Sequence, residues 1–338
     1  MQYRRLDLPR GENQPGKRHP VGITSDVIPH SPHPQEHHTE MQELHIDTSE
    51  GLEQLCGLIR KSPWLALDTE FMREKTYHPQ FCLMQVCNGE IAASVDPIIL
   101  EDLSPLLDII YDEHIVKVFH AGRQDLEILH HLRGRLPTPL FDTQPAAELA
   151  GLGNQIGYAK LVHTLLDHQL EKGHTRTDWS KRPLHPEQLR YALDDVIYLT
   201  KIYLKLQERL GERQDDEALQ EAFALLADPA TYVIPPEHAW LRIRARKYLQ
   251  GNQLAVLQAL AGWRETEARR ADKPKGWILK NEVLIELSRR QPKKPEHLKH
   301  IRGLTPGTIQ RRGKHLVKLI EKALELPEEQ WPVEKKKR

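Results

Sequence analysis

The stretch Leu65-Ala66-Leu67-Asp68-Thr69-Glu70-Phe71 sets an apolar run directly against two carboxylates one residue apart. As a strand it alternates its side chains between faces, so Asp68 and Glu70 share one side and Thr69 takes the other. Carboxylates held together repel and cost stability unless a cation lies between them. Hard oxygen ligands of this kind suit magnesium or manganese. The plain alternative is a strand end with two solvated acids, and the rest of the chain weighs on the choice by supplying further ligands.

The chain has 338 residues, which on length predicts about two domains. Hydrophobic residues make up 39% and charged residues 28%, a soluble globular composition. No apolar run approaches the ~18 residues that span a bilayer, so no membrane is expected. Cys56, Cys82 and Cys87 are odd in number and lack zinc spacing, which points to free thiols in a reducing cytoplasm. The net charge of zero hides an asymmetry. Residues 41–235 carry a net −13 and residues 236–338 a net +13. A metal-holding middle and a polyanion-holding C-terminal part produce this split, as does a charge-balanced pair of docking domains.

Residues 1–40, rich in Pro, Gly and His, cannot bury a core and read as a disordered tail. A strand at 43–46, a helix capped by Thr48 or Ser49 and the strand at 64–71 follow. Strands at 81–86 and 91–95 flank Asn88-Gly89, a hairpin signal. A helix near 102–111 leads to the strand Ile115–Phe119. Strands separated by helices predict an α/β domain with a mixed sheet, hairpin first and crossover helices after.

Two further acids stand where a sheet gathers ligands. Past the strand at 115–119, His120-Ala121-Gly122 forms a turn and Asp125 falls near a helix start, where capping alone is also a sufficient reason for it. Asp142 is expected to cap a helix running to 150, and another helix covers roughly 158–167. The polar stretch 173–183, with Arg176, Lys181 and Arg182, reads equally as a phosphate-contacting loop or a solvated connector. A helix opened by Pro186 then sets Tyr191 and Asp195 four apart, on one face.

Asp68-Thr69-Glu70-Phe71, His120-Ala121-Gly122 with Asp125, and Tyr191 with Asp195 together resemble the three motifs of the DEDD 3′→5′ exonucleases, in the subgroup that uses Tyr. Thr76-Tyr77-His78-Pro79-Gln80 and Arg176-Thr177-Asp178-Trp179 resemble the ribonuclease D family within it. The resemblance covers about residues 43–205. It implies a ribonuclease H-like fold, with Asp68, Glu70, Asp125 and Asp195 holding two divalent cations, Mg2+ or Mn2+, with Zn2+ or Co2+ as in vitro substitutes. It makes Tyr191 the residue that positions the attacking water, and Thr69, Phe71, His120, Arg176, Lys181 and Arg182 candidate substrate contacts. The chemistry agrees: hydrolysis of a phosphodiester needs an activated water and a stabilised leaving oxygen, and a pair of metals ~3.5–4 Å apart serves both.

An acidic helical linker is expected at 211–236, an all-helical domain at 237–326 and a basic tail at 327–338. The helical part, with helices near 254–264, 282–290, 295–301 and 309–324, resembles the HRDC domain. Ribonuclease D enzymes often carry two such modules, and one is legible here. Lys293, Lys294, Arg311 and Arg312 are its candidate phosphate contacts, and solvated helix faces explain them about as well. The expected function is a cytoplasmic, metal-dependent 3′→5′ exoribonuclease acting on transfer RNA precursors and other structured RNAs, with no obligate protein partner. The alternatives are the same constellation acting on DNA, and an RNA-binding adaptor with a weak site.

Overall fold

The computed structural model describes residues 41–170 and 177–333. They form two compact units. The first comprises residues 41–70, 82–122, 137–170 and 177–223; the second comprises Phe71–Phe81, Arg123–Leu136 and residues 224–333. The expected disordered tail, Arg176 and the end of the basic tail lie outside the described residues.

In chain order the strands and helices are β1 (Gln42–Ile46), α1 (Ser49–Ile59), β2 (Trp64–Met72), β3 (Gln80–Cys87), β4 (Ile91–Val95), α2 (Ser104–Ile110), β5 (Val116–Phe119), α3 (Arg123–Arg133), β6 (Leu140–Asp142), α4 (Thr143–Leu149), α5 (Tyr158–Leu166) and α6 (Pro186–Leu210). The strands form one mixed sheet in the order β1-β4-β3-β2-β5-β6. β3 and β4 are antiparallel, as the Asn88-Gly89 turn demands: Gly89 has φ +95°, and the Asn88 side-chain oxygen accepts from the amides of Glu90 and Ile91. β1–β4, β2–β5 and β5–β6 are parallel.

Burial follows pattern. Thr48 caps α1 by accepting from Gly51 N at 3.2 Å, worth about 1 kcal/mol, and Leu52, Leu55, Cys56 and Ile59 form the helix's buried stripe. Ala66, Val118, Phe141, Leu193, Val196 and Tyr203 pack together between sheet and helices, and α6 lies against α4, α5, β4 and β5. Lys117, in the middle of apolar β5, is fully buried, and its ammonium donates to the backbone carbonyls of Asp112, Ile115 and Thr138. Three carbonyl dipoles offset the burial cost that an unpaired ammonium would carry.

The segment expected as an acidic linker does not behave as one piece. α6 runs to Leu210, a 3-10 turn follows at Gly211–Asp215, and α7 (Glu217–Leu226) buries Leu219 and Phe223 in the core of the first unit. Its apolar side chains outweighed its surface acids.

The second unit has its own core on α8 (Asn252–Arg270), α10 (Asn281–Arg290) and α11 (Pro306–Leu324), with short α9 (Lys275–Ile278) between the first two. Leu257, Leu260, Leu284, Leu287, Leu316 and Ile320 fill it, joined by Trp240, Leu298 and Ile301. Residues Pro295–His300, expected as a helix, form a 3-10 turn, and Gly303 then reverses the chain at φ +85°. Thr305 then caps α11.

The loop Phe71–Phe81 belongs to this unit because two acids hold it. The Tyr77 hydroxyl donates to Glu265 Oε1, and Asp272 Oδ1 accepts from the amides of Tyr77 and His78, each at 3.0 Å. The Glu265 carboxylate, 1% exposed, is balanced by Lys275 at 3.3 Å. Tyr77 consequently titrates at about 12, raised by burial and by Glu265.

Candidate active site

Asp68 and Glu70 stand on one face of β2, while the intervening Thr69 is buried. Asp195 comes to them from the middle of α6, and ligand-type oxygens of the three acids lie within 4.8 Å of one another. All three side chains are partly buried. Burial, with the neighbouring Asp194 charge second, pushes the Asp195 carboxyl up to about 7. Asp194 itself is engaged by Arg190, which also clamps Glu43 with two contacts of 2.7 Å.

Tyr191 lies one turn before Asp195 on α6. Its phenol is held neutral far above the usual range, by burial first and then by the negative charges of Asp195, Glu70 and Asp68. The Trp179 ring, 4% exposed, is 6.3 Å from the Tyr191 ring, tilted by 33°. The expected four-residue spacing therefore delivers phenol and carboxylate to the same cluster.

Asp125 is buried, 8% exposed, in the first turn of α3, an element of the second compact unit. Phe71, in the same unit, lies under the Arg73 guanidinium at 5.8 Å.

The turn at 120–122 is built by a residue that its sequence context marks only as a helix cap. Asp142, 3% exposed, caps α4 through Gln144 N and also accepts from Ala121 N and Gly122 N, each at 2.9 Å. Ala121 adopts φ +52°, and a Cβ on Gly122 would meet Phe119 Cβ at 2.5 Å, so only glycine fits there. His120 hydrogen-bonds Thr143 Oγ1 at 2.9 Å, and burial holds its imidazole down at about 4. It is a neutral group at physiological pH.

Arg182 departs from the expected phosphate contact. Its five N–H groups donate to both Asp96 oxygens and to the carbonyls of Trp179, Lys181 and Cys82. A guanidinium has five donors, so none is left for a phosphate. Lys181 is exposed, with Asp178 at 3.8 Å. Lys293, Lys294 and Arg311 are exposed or nearly so at the surface of the helical unit, whereas Arg312 is partly buried, 5.2 Å over the Trp263 ring and 3.5 Å from Glu267.

Tyr158 carries no mark in the sequence. It opens α5 and donates its hydroxyl to the backbone carbonyl of Asp195, and its phenol is raised by burial and then by Asp195 and Asp68. No local pattern marks it, because its partner is 37 positions away.

Three carboxylates, one of them held near neutral pH by burial, form an oxygen donor set that suits a hard divalent cation. The family described as 3'-5' exonuclease matches residues 44–211, and the HRDC domain matches residues 253–320. The chain is 46% identical over 262 residues to ribonuclease D of Sphingobium indicum, covering 77% of this chain and 67% of that protein. It is 40% identical to ribonuclease D of Bartonella henselae over 86% of this chain and 71% of the relative. The crystal structure of Escherichia coli RNase D, described as an exoribonuclease involved in structured RNA processing, superposes with a TM-score of 0.78 at 38% identity, covering 87% of this chain and 78% of that one. With that sheet, that acidic cluster and those relatives, the chain belongs to the ribonuclease D family and is a 3′→5′ exoribonuclease.

Proposed function

We propose that the enzyme removes nucleoside 5′-monophosphates one at a time from the 3′ ends of structured RNAs, transfer RNA precursors among them. The observation that carries the reading is the meeting of Asp68, Glu70 and Asp195 beside the Tyr191 phenol. Those three acids, with Asp125 as the fourth, are the residues to hold two divalent cations, Mg2+ or Mn2+. When bound, the cations supply charge stabilisation for the phosphodiester and its leaving oxygen.

The chain's own groups do the rest. Tyr191, neutral and flanked by carboxylates, orients a water by hydrogen bonding without competing as an anion. The water oxygen forms the new bond to phosphorus, the bond to the 3′ oxygen of the preceding nucleotide breaks, and that oxygen takes a proton. Tyr158 and Arg190 fix the α6 turn that carries Asp195, so the acid does not have to be ordered at the moment of reaction.

The test uses the full chain, magnesium and RNA labelled at either end. The expected result is early release of labelled mononucleotide from 3′-labelled RNA and a shortening ladder from 5′-labelled RNA. Asp68→Asn and Asp195→Asn should each abolish both while leaving the metal-free thermal midpoint level or higher, since each relieves repulsion among the acids. Near-normal hydrolysis by either variant removes that residue from the site.

A further inference from the structure

The second compact unit contains a cavity of about 830 Å³ whose lining differs from that of either core. Arg73, Arg123, Arg242, Arg269 and Lys275 line it, and Glu127 is the one carboxylate among the lining residues. Small-molecule sites are mostly apolar with a few polar groups. Here five cations join the lining, and they come from separate places in the chain: the 71–81 loop, the start of α3, the turn at Pro236–Arg242, the end of α8, and α9.

The arrangement is held in place before any ligand arrives. Glu265 and Asp272 lock the loop through Tyr77 and His78. The His78 ring stacks on His131 at 3.8 Å. Arg269 is anchored on the Ile234 carbonyl at 2.9 Å and Arg123 on the Thr231 carbonyl at 3.2 Å. Arg73 pairs with Glu127 at 2.7 Å, and Arg242 is exposed. Lys275 is likewise paired, with Glu265 at 3.3 Å, so Arg123, Arg242 and Arg269 are the lining cations that face no carboxylate partner among the described residues, and an anion offsets their mutual repulsion. Guanidinium groups match phosphate oxygens in a planar, two-pronged geometry. A cavity of about 830 Å³ exceeds what a single phosphate fills and leaves room for a stretch of strand beside these cations.

We propose that this cavity is a subsite for the phosphodiester backbone of the RNA strand being degraded, gripping it without regard to base sequence. The proposal rests on the reading of the chain as an RNA hydrolase. Phosphate-directed groups of this kind position a strand and carry no sequence information. The subsite is separate from the candidate phosphate-binding residues Lys293, Lys294, Arg311 and Arg312, none of which lines the cavity.

The experiment measures binding of the full chain to a fluorescent single-stranded oligoribonucleotide in EDTA over a range of salt, beside titration with AMP and dinucleotide hydrolysis in magnesium. Arg242→Glu should weaken oligonucleotide binding roughly five- to tenfold. It should make the slope of log affinity against log salt shallower by about 0.7 for each phosphate no longer neutralised. AMP binding and dinucleotide hydrolysis should stay within about twofold of the parent. Glu127→Gln removes the cavity's carboxylate and should move oligonucleotide affinity the other way, tighter by about two- to threefold, a gain that a folding defect does not produce. Unchanged oligonucleotide affinity and slope in both variants overturns the proposal. So does a weakening of AMP binding equal to that of the oligonucleotide, which would make the cavity a free-nucleotide site. Failure of the parent to release mononucleotide from 3′-labelled RNA in magnesium counts against the proposed function alone, because the cavity is tested by binding in EDTA.

Discussion

The Tyr158 hydroxyl donates to the backbone carbonyl of Asp195, so α5 holds the turn of α6 that presents the acid to Asp68 and Glu70. Tyr158→Phe keeps the ring and removes only this bond. It should cost about 1 kcal/mol of stability and raise the magnesium concentration needed for half-maximal rate several-fold. Denaturant unfolding and a metal titration of the rate check the two parts. An unchanged metal requirement would confine Tyr158 to packing.

Tyr191→Phe removes a hydroxyl and leaves the carboxylates in place. The rate should fall by about 10²–10⁴-fold, the range for a group that positions or transfers a proton at the reacting centre. Metal binding, followed by calorimetry, should be retained. A rate reduction below roughly threefold would assign Tyr191 to packing against Trp179.

Arg182→Ala separates a structural guanidinium from a phosphate-binding one. The Asp96 side chain is fully buried, and the substitution leaves it without its cation, at a cost of about 3 kcal/mol. The thermal midpoint should drop clearly, while the salt dependence of RNA affinity, measured on the folded variant at low temperature, should not move. A shallower salt slope at unchanged stability would restore Arg182 to the strand's path.

His120 gives a pH prediction. Its folded-state value is about 4 against 6.5 for the exposed imidazole. Between those values the unfolded chain takes up a proton that the folded chain refuses, so stability is complete above 6.5 and falls as pH drops through the window. At pH 5 the reduction from this group is about 2 kcal/mol. His120→Asn should flatten the fall between about pH 7 and pH 5 in urea unfolding. An unaltered slope would mean that His120 is protonated without penalty in the folded protein.

The local geometry of the site was legible because it depends on neighbours along one element. Strand alternation placed Asp68 and Glu70 on one face of β2, and helical spacing did the same for Tyr191 and Asp195 on α6. The Asn88-Gly89 hairpin and the Asp142 cap were equally local, since each is a side chain satisfying an amide two or three residues on.

What the chain order could not decide was which distant groups would meet. Arg182 looked like a phosphate contact because an arginine in a polar stretch looks the same whether its donors face solvent or Asp96, 86 positions earlier. The second duty of Asp142, holding the amides of the 121–122 turn, exists only because β6 lies beside β5. The loop after the Asp68–Glu70 strand is tied to Glu265 across 188 residues, and periodicity carries no signal of such a pairing. Sequence by itself determined the element types, the faces they bury and the acids they present, because those follow from backbone periods of two and 3.6 residues. Tertiary structure alone decided which charges are neutralised within the fold and which are left facing a cavity, because desolvation and pairing depend on what the path of the chain brings near.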